Sequence, residues 1–121
     1  MSKTDAANQV DRFEEYEILR FEIPDISRLD LKTKRLIYAL YAAGLSGRDI
    51  IWDQNYRHNL LIRSFLEEIY RHYQGARDRD PFLAFQVYLK KIWFSNGIHS
   101  RYDSRKFIPG FTSEDLGSLA K

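Results

Sequence analysis

Three histidines, at positions 58, 72 and 99, are the residues most able to hold a metal or move a proton, and there is no cysteine. Zinc hydrolases commonly set two histidines four residues apart on one helix, with a glutamate between them as base. No such pair occurs. His58 and His72 stand 14 residues apart, about 21 Å if both lie on one helix, too far to share an ion. Glu67-Glu68 supplies two adjacent carboxylates, but neighbouring helical positions point about 100° apart, so ordinary solvated charge is the simpler account. Gly44-Leu45-Ser46-Gly47 lacks the following lysine of a phosphate loop. The missing cysteine also removes disulfides and thiolate nucleophiles.

Two stretches are odder than a core requires. In Asp49-Ile50-Ile51-Trp52-Asp53-Gln54-Asn55-Tyr56, polar side chains crowd a short connection beside large apolar ones. A buried amide or carboxylate there must be hydrogen-bonded, so a network that locks the turn is one reading. In Trp93-Phe94-Ser95-Asn96-Gly97-Ile98-His99-Ser100-Arg101-Tyr102, a helix runs into an irregular segment bearing an amide, an imidazole, a guanidinium and a phenol. Such groups on a loop held by a rigid helix suit hydrogen bonding to the backbone or terminus of a peptide.

The elements that must position these groups read as mainly α: three substantial helices, an extended N-terminal arm and an irregular C-terminal segment. Residues 1–12 read as a flexible start and 13–121 as a single helical domain. From Tyr16 to Ile23 the pattern leaves a short strand and a helix as competitors, and Pro24 ends the segment. Asp30 caps a helix whose apolar face is Leu36, Ile37, Leu40, Tyr41 and Leu45, closed by Gly44, Ser46 and Gly47. Arg48 to Asn55 reads as a polar-apolar connection with room for one helical turn. Tyr56 to Tyr73 is the strongest helix, with Leu61, Phe65 and Ile69 beside Ile62, Leu66 and Tyr73, and Gly75 stops it. Asp80-Pro81 reads as a capping carboxylate before a first-turn proline. Phe82, Phe85, Leu89, Ile92 and Trp93 then share one face, with Gly97 placed to terminate. From Ile98 to Phe111 there is no helical period, and Ser113-Glu114-Asp115 begins one more short helix.

Composition narrows the class further. With 121 residues the chain is one domain's worth, 44% hydrophobic and 30% charged, too apolar for a disordered tail. Aromatics are abundant, with 8 Tyr, 8 Phe and 2 Trp. No stretch approaches the ~20 apolar residues of a membrane span, and the start lacks the apolar run of a secretory signal, so the chain reads as cytoplasmic. Met1 to Asp30 carries 8 acidic and 4 basic residues; the remainder carries 9 acidic and 15 basic. A basic body with an acidic start could steer anions or meet an acidic neighbour.

Several runs, in order, carry a resemblance to a known family. They are Glu17-Ile18-Leu19-Arg20, Gly47 through Tyr56, Leu66-Glu67-Glu68-Ile69-Tyr70, Val87 through His99, and Lys106-Phe107-Ile108-Pro109. From about Phe13 to Phe111 the chain resembles the N-terminal region of the bacterial dipeptidyl peptidase III family, zinc metallopeptidases that remove dipeptides from the N-terminus of oligopeptides. The resemblance implies a two-lobed enzyme whose zinc is held by a His-Glu-x-x-Gly-His motif and a later glutamate, all downstream of the matching region. No catalytic or metal-binding residue is therefore expected within this sequence, although zinc is expected for the complete enzyme. Asn96, Gly97, His99 and Tyr102 match the substrate-holding pattern Asn-Gly-Ile-His-His-His-Tyr and are the implied peptide contacts. Ser100 and Arg101 depart from it where two further histidines stand, Asp103 replaces a serine, and Arg105 replaces an aspartate.

The implied partners are an oligopeptide substrate or the missing catalytic lobe. A free-standing, non-catalytic helical binding protein derived from the family is the alternative. Nucleic-acid binding is a weaker reading. Tyr70-Arg71-His72-Tyr73 and Arg77-x-Arg79 mix aromatic and basic residues, but Asp78 and Asp80 interrupt the patch and the net charge is only +2.

Overall fold

The helix from Phe82 to Ser95 organises the core, because its sequence places large apolar side chains three and four residues apart. Phe85, Leu89 and Ile92 have no exposed surface and Phe82 almost none. In the computed structural model, which describes residues 8–121, the chain is mainly helical with one small sheet. It divides into two compact units, Met1–Gly47 and Arg48–Lys121. Residues 1–7, part of the start read as flexible, lie outside the described residues.

In the first unit, strands β1 (Gln9–Phe13) and β2 (Tyr16–Leu19) pair antiparallel, with Phe13 opposite Tyr16 and an irregularity between Gln9 and Asp11. The open choice between strand and helix at Tyr16 is thus decided for a strand. Its partner includes residues that the sequence pattern leaves in the flexible start. Phe13 is buried and its ring stacks on Tyr16, centroids 5.3 Å apart. A 3-10 turn over Pro24–Arg28 leads to α1 (Leu31–Ser46). Asp30 caps α1 as its type predicts: its carboxylate accepts from Thr33 N at 3.0 Å and from Thr33 Oγ1 at 2.7 Å. These hydrogen bonds hold the Asp30 carboxyl below the ordinary carboxylate value.

The second unit holds α2 (Arg48–Asn55), α3 (Asn59–His72), α4 (Phe82–Ser95) and α5 (Ser113–Leu119). Its core joins Trp52, Leu66, Ile69, Phe82, Phe85, Leu89, Ile92, Ile98 and Leu119. Four sequence expectations are corrected here. Arg48–Asn55 is a true helix of 8 residues, because burial of Trp52 at 2% exposure anchors one side of it. The next helix starts at Asn59 rather than Tyr56, since Asn59 N closes a turn onto Tyr56 O at 2.9 Å and its side chain is engaged elsewhere. On that helix Leu66 and Ile69 face the core, whereas Leu61 and Phe65 are exposed. Asp80 does not cap α4. Pro81 occupies the N-cap position, and backbone turns supply acceptors instead, with Leu83 N donating to Arg79 O and Phe85 N to Pro81 O.

The short C-terminal helix is held by local and tertiary means together. Thr112 and Asp115 form a capping box, and Leu119 is inserted into the core. Aromatic contacts tie α3 to α4: Tyr73 and Phe82 stack at 4.9 Å, and Tyr70 meets the edge of Trp93 at 5.9 Å.

Candidate functional site

Everything at the candidate site depends on how α4 ends. Asn96 takes the left-handed conformation (φ 53°, ψ 45°), and Gly97 N donates across the helix end to Ile92 O at 3.1 Å. Asparagine tolerates this geometry better than most residues. Gly97 follows at φ 149°, and a Cβ there would fall 2.2 Å from Asn59 Nδ2. Glycine is required on both counts, so the sequence expectation of a terminating Gly97 resolves into an Asn-Gly pair.

Asn59 is the hub. Fully buried at the first turn of α3, it donates through Nδ2 to Trp52 O at 3.0 Å and, at 3.5 Å, to Asn96 O. Its Oδ1 accepts from Ile98 N at 3.2 Å. Asn55 Nδ2 also donates to Asn96 O, at 3.2 Å, and Arg48 Nη2 donates to Asn96 Oδ1 at 3.3 Å. Three elements (α2, α3 and the end of α4) are thereby fixed around one peptide group. Hydrogen bonding of amides near Asn55 is legible in the sequence; the part played by Asn59, a polar residue on an apolar helix, is not.

Beyond Gly97 the chain forms a closed loop. Phe107 N donates to Ile98 O and Ser100 N to Arg105 O, both at 2.8 Å, with His99 bridged to Lys106. Ile98 and Phe107 are buried and anchor the two ends. Within the loop Arg105 donates to Asp103, and a side-chain hydrogen bond from Ser100, then Arg105, holds the Asp103 carboxyl below its ordinary value. The two departures at 103 and 105 therefore satisfy each other.

A pocket of about 470 Å³ lies between α2 and this loop. Ile51 and Asn55 of α2, Ser95 at the end of α4 and its C-cap Asn96 line it, together with His99, Arg101 and Ser104 of the loop. Of the four residues that the resemblance implies as peptide contacts, Asn96 and His99 line the pocket. Gly97 does not line it; it provides the close packing against Asn59 behind. Tyr102 is 80% exposed and also outside the lining. The His99 ring meets Tyr56 edge-on at 5.8 Å, which limits its orientation. Ser95, only 2% exposed, has an Oγ with no hydrogen-bond partner.

Other chemistry-bearing residues are engaged structurally. Glu67 accepts from Trp93 Nε1 at 2.9 Å, while Glu68 pairs with Arg71 and with His72. His58 accepts from Arg57 at 2.9 Å. Arg77, part of the basic-aromatic patch, donates to the backbone of Tyr70 and Tyr73 and lies over the Tyr70 ring. Among the described residues no three His, Asp or Glu side chains converge as a metal would require. No helix among them is long and apolar enough to cross a membrane. No protein-family model and no curated protein matches the sequence.

Proposed function

We propose that this chain is the N-terminal portion of a cytoplasmic dipeptidyl peptidase III-like zinc metallopeptidase and forms part of its peptide cleft. The observation that supports the reading is the pocket: Asn96 and His99, two of the residues that resemble the family's substrate-holding segment, line one cavity at the end of α4. Its hydrogen-bonding groups sit on a rigid frame, because Asn59 and Asn55 fix the peptide group of Asn96. A preformed concave site with a few fixed polar groups suits an extended peptide backbone. In this reading zinc and the general base belong to residues outside this sequence.

The test uses the isotope-labelled 121-residue chain and N-acetylated, C-amidated tetra-alanine. Binding is expected to shift the amide signals of Asn96 and His99. A peptide that moves neither would sink the cleft assignment. In parallel, tetra-alanine with free ends is incubated with the chain and added zinc, and no dipeptide is expected; zinc-dependent release would overturn the placement of catalysis outside this sequence.

A further inference from the structure

The pocket has a one-sided electrostatic character. Arg101 and His99 line it, Arg48 reaches its edge through Asn96, and no Asp or Glu side chain is part of its lining. The carboxylate nearest Arg101 in sequence, Asp103, is committed to Ser100 and Arg105. Asp49, on α2, accepts from Arg63 at 2.8 Å. Among the described residues none is paired with Arg101. The unit that builds the pocket, Arg48–Lys121, contains 12 basic and 9 acidic residues, a net of +3.

We infer that this pocket takes a carboxylate, with Arg101 as its anchoring cation. A planar guanidinium presents paired donors that match the two carboxylate oxygens, and an uncompensated one at the mouth of a pocket favours that ligand over a neutral amide. The Ser104 hydroxyl adds a neutral donor at the same cavity. This inference rests on the peptide reading above and deepens it: the preferred ligand is an anionic peptide. Its carboxylate comes either from the peptide's C-terminus or from an acidic side chain.

The experiment compares three probes on the 121-residue chain: N-acetyl-Ala-Ala with a free carboxylate, its C-terminal amide, and N-acetyl-Asp-Ala amide. Affinities are measured for the wild type, Arg101→Ala and Arg101→Lys. At least one anionic probe is expected to bind about tenfold or more tighter than the neutral one, and the better of the two identifies the source of the carboxylate. Arg101→Ala should erase the preference and Arg101→Lys keep part of it, with added salt weakening only the anionic complexes. Arg101 is an exposed loop residue, and unchanged amide spectra of the unliganded variants check that they fold. Equal binding of all three probes, or a preference that survives Arg101→Ala, overturns the carboxylate site while the peptide reading stands. Anionic binding that depends on Arg101 supports both, and binding of none sinks both.

Discussion

A single buried amide, Asn59, does at this site what a metal or disulfide does in other small folds: it fixes segments that have little apolar surface of their own. It meets Trp52 O, Asn96 O and Ile98 N from three parts of the chain. Replacing it with alanine leaves the Ile98 N–H without its acceptor in a buried setting, at about 1–3 kcal/mol for such a group. We expect Asn59→Ala to lower the urea midpoint accordingly. Gly97→Ala should cost a similar amount, because its Cβ would meet the Asn59 amide at 2.2 Å in a backbone region that disfavours side chains. The two changes act on the same contact, so they should not add. Removing the Asn59 side chain opens the space that the alanine methyl needs, and the double variant should be more stable than the sum of the single losses implies. Strict additivity would mean that backbone strain at Gly97, and not the close approach, dominates.

Among the elements, α4 is the one most fully legible in the sequence, since Phe82, Phe85, Leu89 and Ile92 repeat at helical spacing and are all buried. For α3 the element is legible but its orientation is not. Leu61 and Phe65 form as good a stripe as Leu66 and Ile69, and only packing against α4 chooses between them. Helix α2 is hidden because one residue, Trp52, provides its buried anchor while Ile50 and Ile51 stay exposed among polar neighbours. Asn96 and His99 could be singled out for the site; their meeting with Asn55 and Ile51 across a pocket depends on the tertiary network at Asn59. At α5 local chemistry gives a pH-dependent prediction. Hydrogen bonds from Thr112 N and Oγ1 hold the Asp115 carboxyl below its ordinary value. A carboxyl depressed in the folded state contributes stability above its unfolded pKa, about 3.9, and loses it as pH falls through the lower folded value. Thr112→Ala should therefore lower stability near neutral pH, and the deficit should shrink below about pH 4. Urea midpoints for both proteins at pH 7 and pH 3 test this; a deficit unchanged in acid would assign the cap to the neutral hydroxyl alone.

At the scale of the molecule, burial is distributed very unevenly along the chain. Helix α1 has 16 residues and none of them is buried: Leu36, Leu40 and Tyr41, the face read from the sequence as apolar, are 58%, 64% and 62% exposed. Helix α4, with 14 residues, has its apolar face almost wholly enclosed. An isolated helix of this length is marginal in water, and most helical stability in proteins comes from packing. The Asp30 cap supports only the first turn of α1. Local opening of α1 should therefore require far less free energy than opening of α4, whose amides are released only with the core. In native-state hydrogen exchange the amides around Leu40 should exchange at least about a hundredfold faster than those around Leu89, a difference of about 2.7 kcal/mol in opening free energy. An exposed apolar face also predicts a response to concentration, because contact between copies would bury it. Protection of α1 should rise as the chain is concentrated, and substitution of Leu40 and Tyr41 by glutamate should remove that rise without altering exchange in α4. Equal protection of α1 and α4 in dilute solution would show that α1 gains stability beyond its cap and its intrinsic propensity. Protection that is low and independent of concentration would show that its apolar face does not associate with copies of itself, which turns attention to a different partner for that helix.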